Sequence, residues 1–190
     1  MKLKIIKKLE SNDKNKTIKY LFKTIDNNIF ESVIMFENVL TLCVSSQIGC
    51  PVKCRFCRTG KDKFLRNLDV YEIIEQVKLV EKDMGRKIEC ISYMGMGEPL
   101  LNINNILCSM KKLNKRKYKL STVVIPGNLL KLSDLNIPIE IYISLHASSE
   151  TTRKHLIPFS NSTTIEKLIE EVNEFSKIKK IKTSIFGIFY

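Results

Sequence analysis

From residue 41 onward the chain alternates short apolar runs with longer segments whose apolar residues recur every three or four positions, a pattern few folds accept. Strands are expected at 41–46, 88–94, 118–125, 139–145 and 181–190, and helices at 70–83, 103–113, 129–135 and 165–175. The helix at 70–83 places Val70, Ile73, Ile74, Val77 and Val80 on one face, starts at Asp69 with Glu72 three residues on, and stops at Gly85. Thr163 and Glu166 predict a capping box for the helix at 165–175, and Pro126-Gly127 breaks the chain between its neighbours. Strands that alternate with helices pair in parallel through right-handed crossovers, so the fold class is α/β. Five such strands are too few for a closed eight-fold barrel and fit a partial (βα)-barrel, with its site at the C-terminal strand ends. Upstream, 17–25 and 29–36 flank Asp26-Asn27-Asn28 and read as a β-hairpin. The expected organisation is an N-terminal extension and hairpin over 1–38, then the partial barrel over 39–190.

Unusual sequences gather at those strand ends. After the first barrel strand, Gly49-Cys50-Pro51-Val52-Lys53-Cys54-Arg55-Phe56-Cys57 sets three thiols on one loop in a C-x3-C-x2-C spacing. A closed iron-sulfur cluster takes four cysteine thiolates, so three leave one iron open to a small molecule. That is the arrangement of radical enzymes that bind S-adenosylmethionine (SAM) on the open iron. A structural zinc loop is the alternative, with Cys43 as fourth ligand. Gly95-Met96-Gly97-Glu98-Pro99 follows the second strand and offers close backbone approach and a carboxylate for an amino group; a plain strand-to-helix turn is its bland reading. Ser121, Ser144 and His146 close the third and fourth strands, where they could hydrogen-bond a carboxylate or ribose, or simply be satisfied polar residues.

Length and charge set wider bounds. With 190 residues, 44% of them hydrophobic, one core suffices. Six cysteines with no signal peptide or apolar span suit a reducing cytoplasm, where clustered cysteines mean metal or catalysis more often than disulfides. Cys90 and Cys108 are expected in the core. The net charge of +12 suits a phosphate-rich partner, although lysines are spread throughout and a solvated basic surface accounts for each run singly.

Five segments together resemble the RlmN/Cfr family of radical-SAM RNA adenine methyltransferases. They are 41–50 (TLCVSSQIGC), Arg66-Asn67-Leu68 followed by Glu72-Ile73-Ile74, 94–102 (MGMGEPLLN), Leu120-Ser121-Thr122, and Ser144-Leu145-His146-Ala147. The likeness runs from about Lys16 to the last residue in family order, and it disfavours zinc. It implies a partial barrel of radical SAM type, with Cys50, Cys54 and Cys57 as ligands of a [4Fe-4S] cluster. Gly97, Glu98, Ser121, Ser144, Leu145 and His146 match SAM-contacting positions. Cys43 matches the cysteine that releases the RNA adduct by disulfide formation, and Glu31 matches the proton acceptor. The implied partners are rRNA or tRNA and an electron donor such as flavodoxin or ferredoxin, with no membrane.

By the family mechanism, a methyl-carrying cysteine in a C-terminal loop is activated by a radical from SAM and adds to carbon 2 of adenine. No cysteine follows Cys108 in this chain, and only about fifteen residues precede the first matching strand. The expectation is therefore a fragment unable to complete methyl transfer alone; a short radical SAM enzyme with another substrate and a non-catalytic, RNA-binding accessory are the alternatives. Arg58, where the family has a small residue, and 61–65, where it has a glycine-bearing stretch, also depart from the pattern.

Overall fold

The computed structural model describes residues 3–12, 16–36, 38–133, 135–159, 163–180 and 183–187. Eight strands form one sheet in the spatial order β1-β2-β3-β4-β7-β8-β9-β10. The first three, β1 (Leu3–Glu10), β2 (Thr17–Thr24) and β3 (Ile29–Phe36), form an antiparallel meander, and β3 pairs antiparallel with β4 (Leu40–Cys43). From β4 the sheet continues in parallel through β7 (Cys90–Tyr93), β8 (Lys117–Thr122), β9 (Ile139–Ser144) and β10 (Ser184–Phe186). Two short strands, β5 (Gln47–Ile48) and β6 (Arg66–Asn67), pair separately and close the base of the cysteine loop. The five parallel barrel strands expected from the alternation are all present.

Helices α1 (Arg58–Lys61), α2 (Val70–Met84), α3 (Ile103–Leu113), α4 (Glu150–Leu156) and α5 (Ile165–Lys179) lie between them. Helix α2 starts as predicted: Asp69 accepts from the Tyr71 and Glu72 amides, while Glu72 accepts from the Asp69 amide. It ends at Gly85, whose φ of 61° is a left-handed conformation that favours glycine. Ile73, Val77 and Val80 are fully buried, and each such side chain contributes roughly 1.5–3 kcal/mol through removal from water. In the meander, Tyr20, Phe22, Phe30 and Ile34 extend the same core along the sheet.

Several expectations need correction. Strand β1 was not expected. Only Leu3 of its eight residues is buried, and a bulge between Ile5 and Lys7 breaks its alternation. Helix α4 was also unexpected, being polar apart from Leu156. The cap of α5 is Thr164, which accepts from the Lys167 amide, rather than Thr163, one residue earlier and nearly buried. The helix expected at 129–135 is a single 3-10 turn, Leu130–Leu132. The last strand covers 184–186, and residues 181, 182 and 188–190 lie outside the described residues. Cys90 is buried as expected, whereas Cys108 is only partly so.

Candidate functional site

The segment between β4 and the cysteines is held from both sides. The Gln76 side chain of α2 accepts from the Ser32 hydroxyl at 2.7 Å and the Ser45 amide at 2.9 Å, and donates to the Ser45 carbonyl at 3.0 Å. The Ser46 and Gln47 amides donate to the Met96 carbonyl, and the Gly95 amide to the Val44 carbonyl. A methyl group on Gly95 would sit 2.6 Å from that same Val44 oxygen, so the glycine loop can lie against this segment only without a side chain. Farther along, the Arg55 amide donates to the Leu156 carbonyl at 2.9 Å, fastening the cysteine loop to α4.

These attachments bring the strand ends around one cavity of about 220 Å³, and Cys50, Cys54 and Cys57 face it with Gly97, Glu98, Ser121, Ser144 and His146. Phe56, Thr122 and Val123 are among the cavity's remaining walls. Leu145 does not line it; its amide bonds to the Phe186 carbonyl at 3.0 Å, so its contribution here is to the β9–β10 edge. The Ser121 and Ser144 hydroxyls stand 3.1 Å apart, and the rings of Phe56 and His146 meet at 4.5 Å between centroids.

Glu98 is the cavity's buried carboxylate. One oxygen accepts from the Leu100 amide at 3.0 Å and the Thr122 hydroxyl at 2.5 Å, the other from the Val123 amide at 3.0 Å. Burial nevertheless outweighs these donors and pushes its pKa up to about 7. Burial also raises the thiols, Cys50 to about 11 and Cys54 to about 12, with the neighbouring thiols and Glu98 adding repulsion. His146 is lowered by burial and then by the Arg153 guanidinium. Arg153 itself is almost wholly buried; its Nη2 donates to the Val123 carbonyl at 2.9 Å, while Nε and Nη1 have no hydrogen-bond partner. Sequence reasoning missed Arg153, because nothing in 150–156 announced a helix. Phe56 and Thr122 were visible only as neighbours of the cysteines and of Ser121.

Three soft thiols along one side of a cavity fit an iron-sulfur cluster, whose irons each take one thiolate. Among the described residues no three His, Cys, Asp or Glu side chains converge on a point close enough to hold a single metal ion. Cys43 is not among the residues that line this cavity, and no group with it and the loop cysteines as ligands of one metal ion is found among the described residues. Instead Cys43 ends β4 in register with Val33, beside the Met94 backbone. Glu31, two residues before Val33 on β3, is near enough for its charge to add to the burial that pushes Cys43 up to about 11. Glu31 also pairs with Lys19 at 2.9 Å.

A family profile described as the Radical SAM superfamily matches residues 44–189. Among curated relatives, a probable dual-specificity RNA methyltransferase RlmN of Pseudothermotoga lettingae is 44% identical over 86% of this chain and 50% of its own length. The counterpart in Trichodesmium erythraeum is 43% identical over 88% and 51%. The chain thus spans about half the length of the curated relatives it matches. A crystal structure of a radical SAM methyltransferase from Sphaerobacter thermophilus superposes with a TM-score of 0.91 at 29% identity, covering 97% of this chain and 57% of that one. SuiB from Streptococcus suis bound to S-adenosylmethionine, at a TM-score of 0.57 and 18% identity over 80% of this chain and 35% of that one, shares the fold alone. With the family match covering most of its length, the chain belongs to the radical SAM superfamily and, within it, is similar to the RlmN methyltransferases.

Proposed function

We propose that the chain is the catalytic barrel of a radical-SAM RNA methyltransferase acting on carbon 2 of adenine in rRNA or tRNA. The observation that carries this reading is the convergence of Cys50, Cys54 and Cys57 with Glu98, Ser121, Ser144 and His146 on one cavity. In it the three cysteines would hold a [4Fe-4S] cluster and the open iron would bind SAM. When bound, the cluster supplies the electron that cleaves SAM to a 5′-deoxyadenosyl radical. The protein's own work is positional. Glu98, Ser121 and Ser144 line the cavity; Glu98 would accept from the SAM amino group, and the two serines would donate to its carboxylate or ribose. Phe56 and His146 wall the cavity. Glu31 would accept the proton lost from the adenine adduct, and Cys43 would resolve the bond to the enzyme.

The RNA substrate belongs to the same proposal, supported by the relatives being RNA methyltransferases and by the net charge of +12; a flavodoxin-like or ferredoxin-like donor would supply the electron that the proposed cluster needs. Among the described residues no helix is long and apolar enough to cross a membrane. The test is anaerobic reconstitution with iron and sulfide, then incubation with SAM, a reductant and an rRNA fragment. Formation of 5′-deoxyadenosine is expected from the chain alone. Formation of 2-methyladenosine is expected once the remaining half of a curated relative is supplied. Reconstituted protein that carries a cluster but never cleaves SAM would refute the reading.

A further inference from the structure

The cysteine loop has two faces. Cys50, Val52, Cys54, Phe56 and Cys57 turn toward the cavity, whereas Pro51 and Lys53 line a second concavity of about 600 Å³ together with residues 60–64, and the two hollows share no residue. Of the residues lining this outer hollow Lys53, Lys61 and Lys63 are exposed, and Arg55 and Arg58 of the same loop are exposed too. The one carboxylate among them, Asp62, already pairs with Arg58 at 2.9 Å, and the other four cations have no ion-pair partner among the described residues. Five cations in eleven residues far exceed the chain's average of 32 in 190. Lys53 moreover sits at φ 55°, a left-handed conformation that glycine would adopt without strain, so a lysine there is kept at a cost.

We infer that this outer face is the docking surface for an acidic, flavin-carrying electron-donor protein. The inference rests on the proposed cluster and adds where its electron enters. Pro51 and Lys53 on the outer face are the chain neighbours of Cys50 and Cys54 on the inner one, so the outer face lies one residue from two of the proposed cluster ligands, and a path through the loop does not cross the cavity kept for SAM and substrate. A donor docked at the cavity mouth would compete with substrate; one docked here would not. An acidic protein surface complements unpaired lysines, and such charge steers encounter. In the transfer one electron leaves the donor's reduced flavin and the cluster gains it, passing from the 2+ to the 1+ state; no bond breaks. RNA, the other polyanion, is the competing occupant.

The test compares reconstituted protein with the variant Lys53→Glu/Lys61→Glu/Lys63→Glu. A control, Lys78→Glu/Lys82→Glu/Arg86→Glu, reverses the same charge on α2 and just beyond its end. Oxidised flavodoxin measures affinity, and reduced flavodoxin measures the rate of cluster reduction in stopped flow. Reversal on the loop is expected to weaken flavodoxin binding at low salt at least tenfold, flatten its salt dependence and slow reduction equally. Iron content and reduction by methyl viologen radical should stay unchanged. Should the triple variant lose iron, Lys61→Glu/Lys63→Glu, outside the cysteine triplet, repeats the measurement. Unchanged flavodoxin affinity, or an equal loss in the α2 control, overturns the inference. So does weakened binding of a poly(A) oligonucleotide with flavodoxin unaffected, which would assign the surface to RNA. Failure of the parent protein to take up a cluster would strike the proposed function instead, and the affinity comparison would still decide the docking surface on cluster-free protein.

Discussion

The Thr122 hydroxyl donates to Glu98 at 2.5 Å, joining the end of β8 to the glycine loop after β7 across the floor of the cavity. Thr122 simultaneously accepts from the Val124 amide at 2.9 Å, so one hydroxyl organises both the carboxylate and the chain that follows. Thr122→Val keeps the volume and removes both bonds. The expected cost is about 2 kcal/mol of stability, a Tm fall of ~5 °C, and SAM binding to the reconstituted protein weaker by about tenfold. Unchanged SAM affinity in a titration would mean that Glu98 is held adequately by the two backbone amides alone.

Glu98 also predicts a pH dependence for the cluster-free protein. Its folded pKa is raised by burial from 4.5 to about 7, so between those values the folded state holds a proton that the unfolded state has released. Stability from this group is full below pH 4.5 and is lost as pH rises through 7, with a ceiling of about 3 kcal/mol. Cys50 and Cys54, the nearest thiols, stay neutral over this range because burial holds them at about 11 and 12. Glu98→Gln should flatten the fall in denaturant midpoint between pH 5 and 8. An equally steep fall in that variant would place the titrating group elsewhere.

The cysteines separate by role. Replacing Cys50, Cys54 or Cys57 with Ala should abolish iron and sulfide uptake on reconstitution, whereas Cys90→Ala and Cys108→Ala should retain it. Cys90→Ala still empties buried volume and is expected to destabilise by ~1–2 kcal/mol. Iron retained after loss of any of the three loop thiols would remove the cluster assignment.

Arg66 bridges two regions that the chain order keeps apart. Its guanidinium donates twice to Asp26 in the hairpin turn, at 2.9 Å each, and twice to Glu72 in the first turn of α2, at 2.8 Å each. Glu72 is buried, so Arg66→Ala leaves a carboxylate short of a partner, for a loss of about 2 kcal/mol in urea unfolding. Arg66→Lys should recover little, since one ammonium cannot span both carboxylates. Hydrogen bonding to Arg66 holds Asp26 well below the usual carboxylate range. Its small stabilisation is present above the ordinary carboxyl pKa and lost as pH falls through the lowered one.

What was legible in the sequence follows burial. Helix α2 was readable because its cap is local and Ile73, Val77 and Val80 repeat at helical spacing. Strand β1 was not, since it is an edge whose lysines face solvent and whose single bulge resets the alternation. Helix α4 hid for a related reason: its buried residues are Arg153 and Leu156, and a buried arginine carries no apolar signal. In the site, residues embedded in motifs were found, Thr122 among them through Leu120-Ser121-Thr122, but its bond to Glu98 was not, and Arg153 lies outside every motif, because spacing does not report partners distant in sequence.

The meander also fixes how far apart Glu31 and Cys43 can be. Cys43 stands opposite Val33, and Glu31 lies one alternation along the same strand, on the less buried face. Pleated strands admit only whole-residue steps, and a single step would turn Glu31 to the opposite side of the sheet. The distance between these two groups is therefore quantised rather than adjustable. An insertion in the connection between Phe36 and Leu40, which sets the register of β3 against β4, would therefore move Glu31 relative to Cys43 by a whole residue and turn it to the other face rather than shift it by degrees.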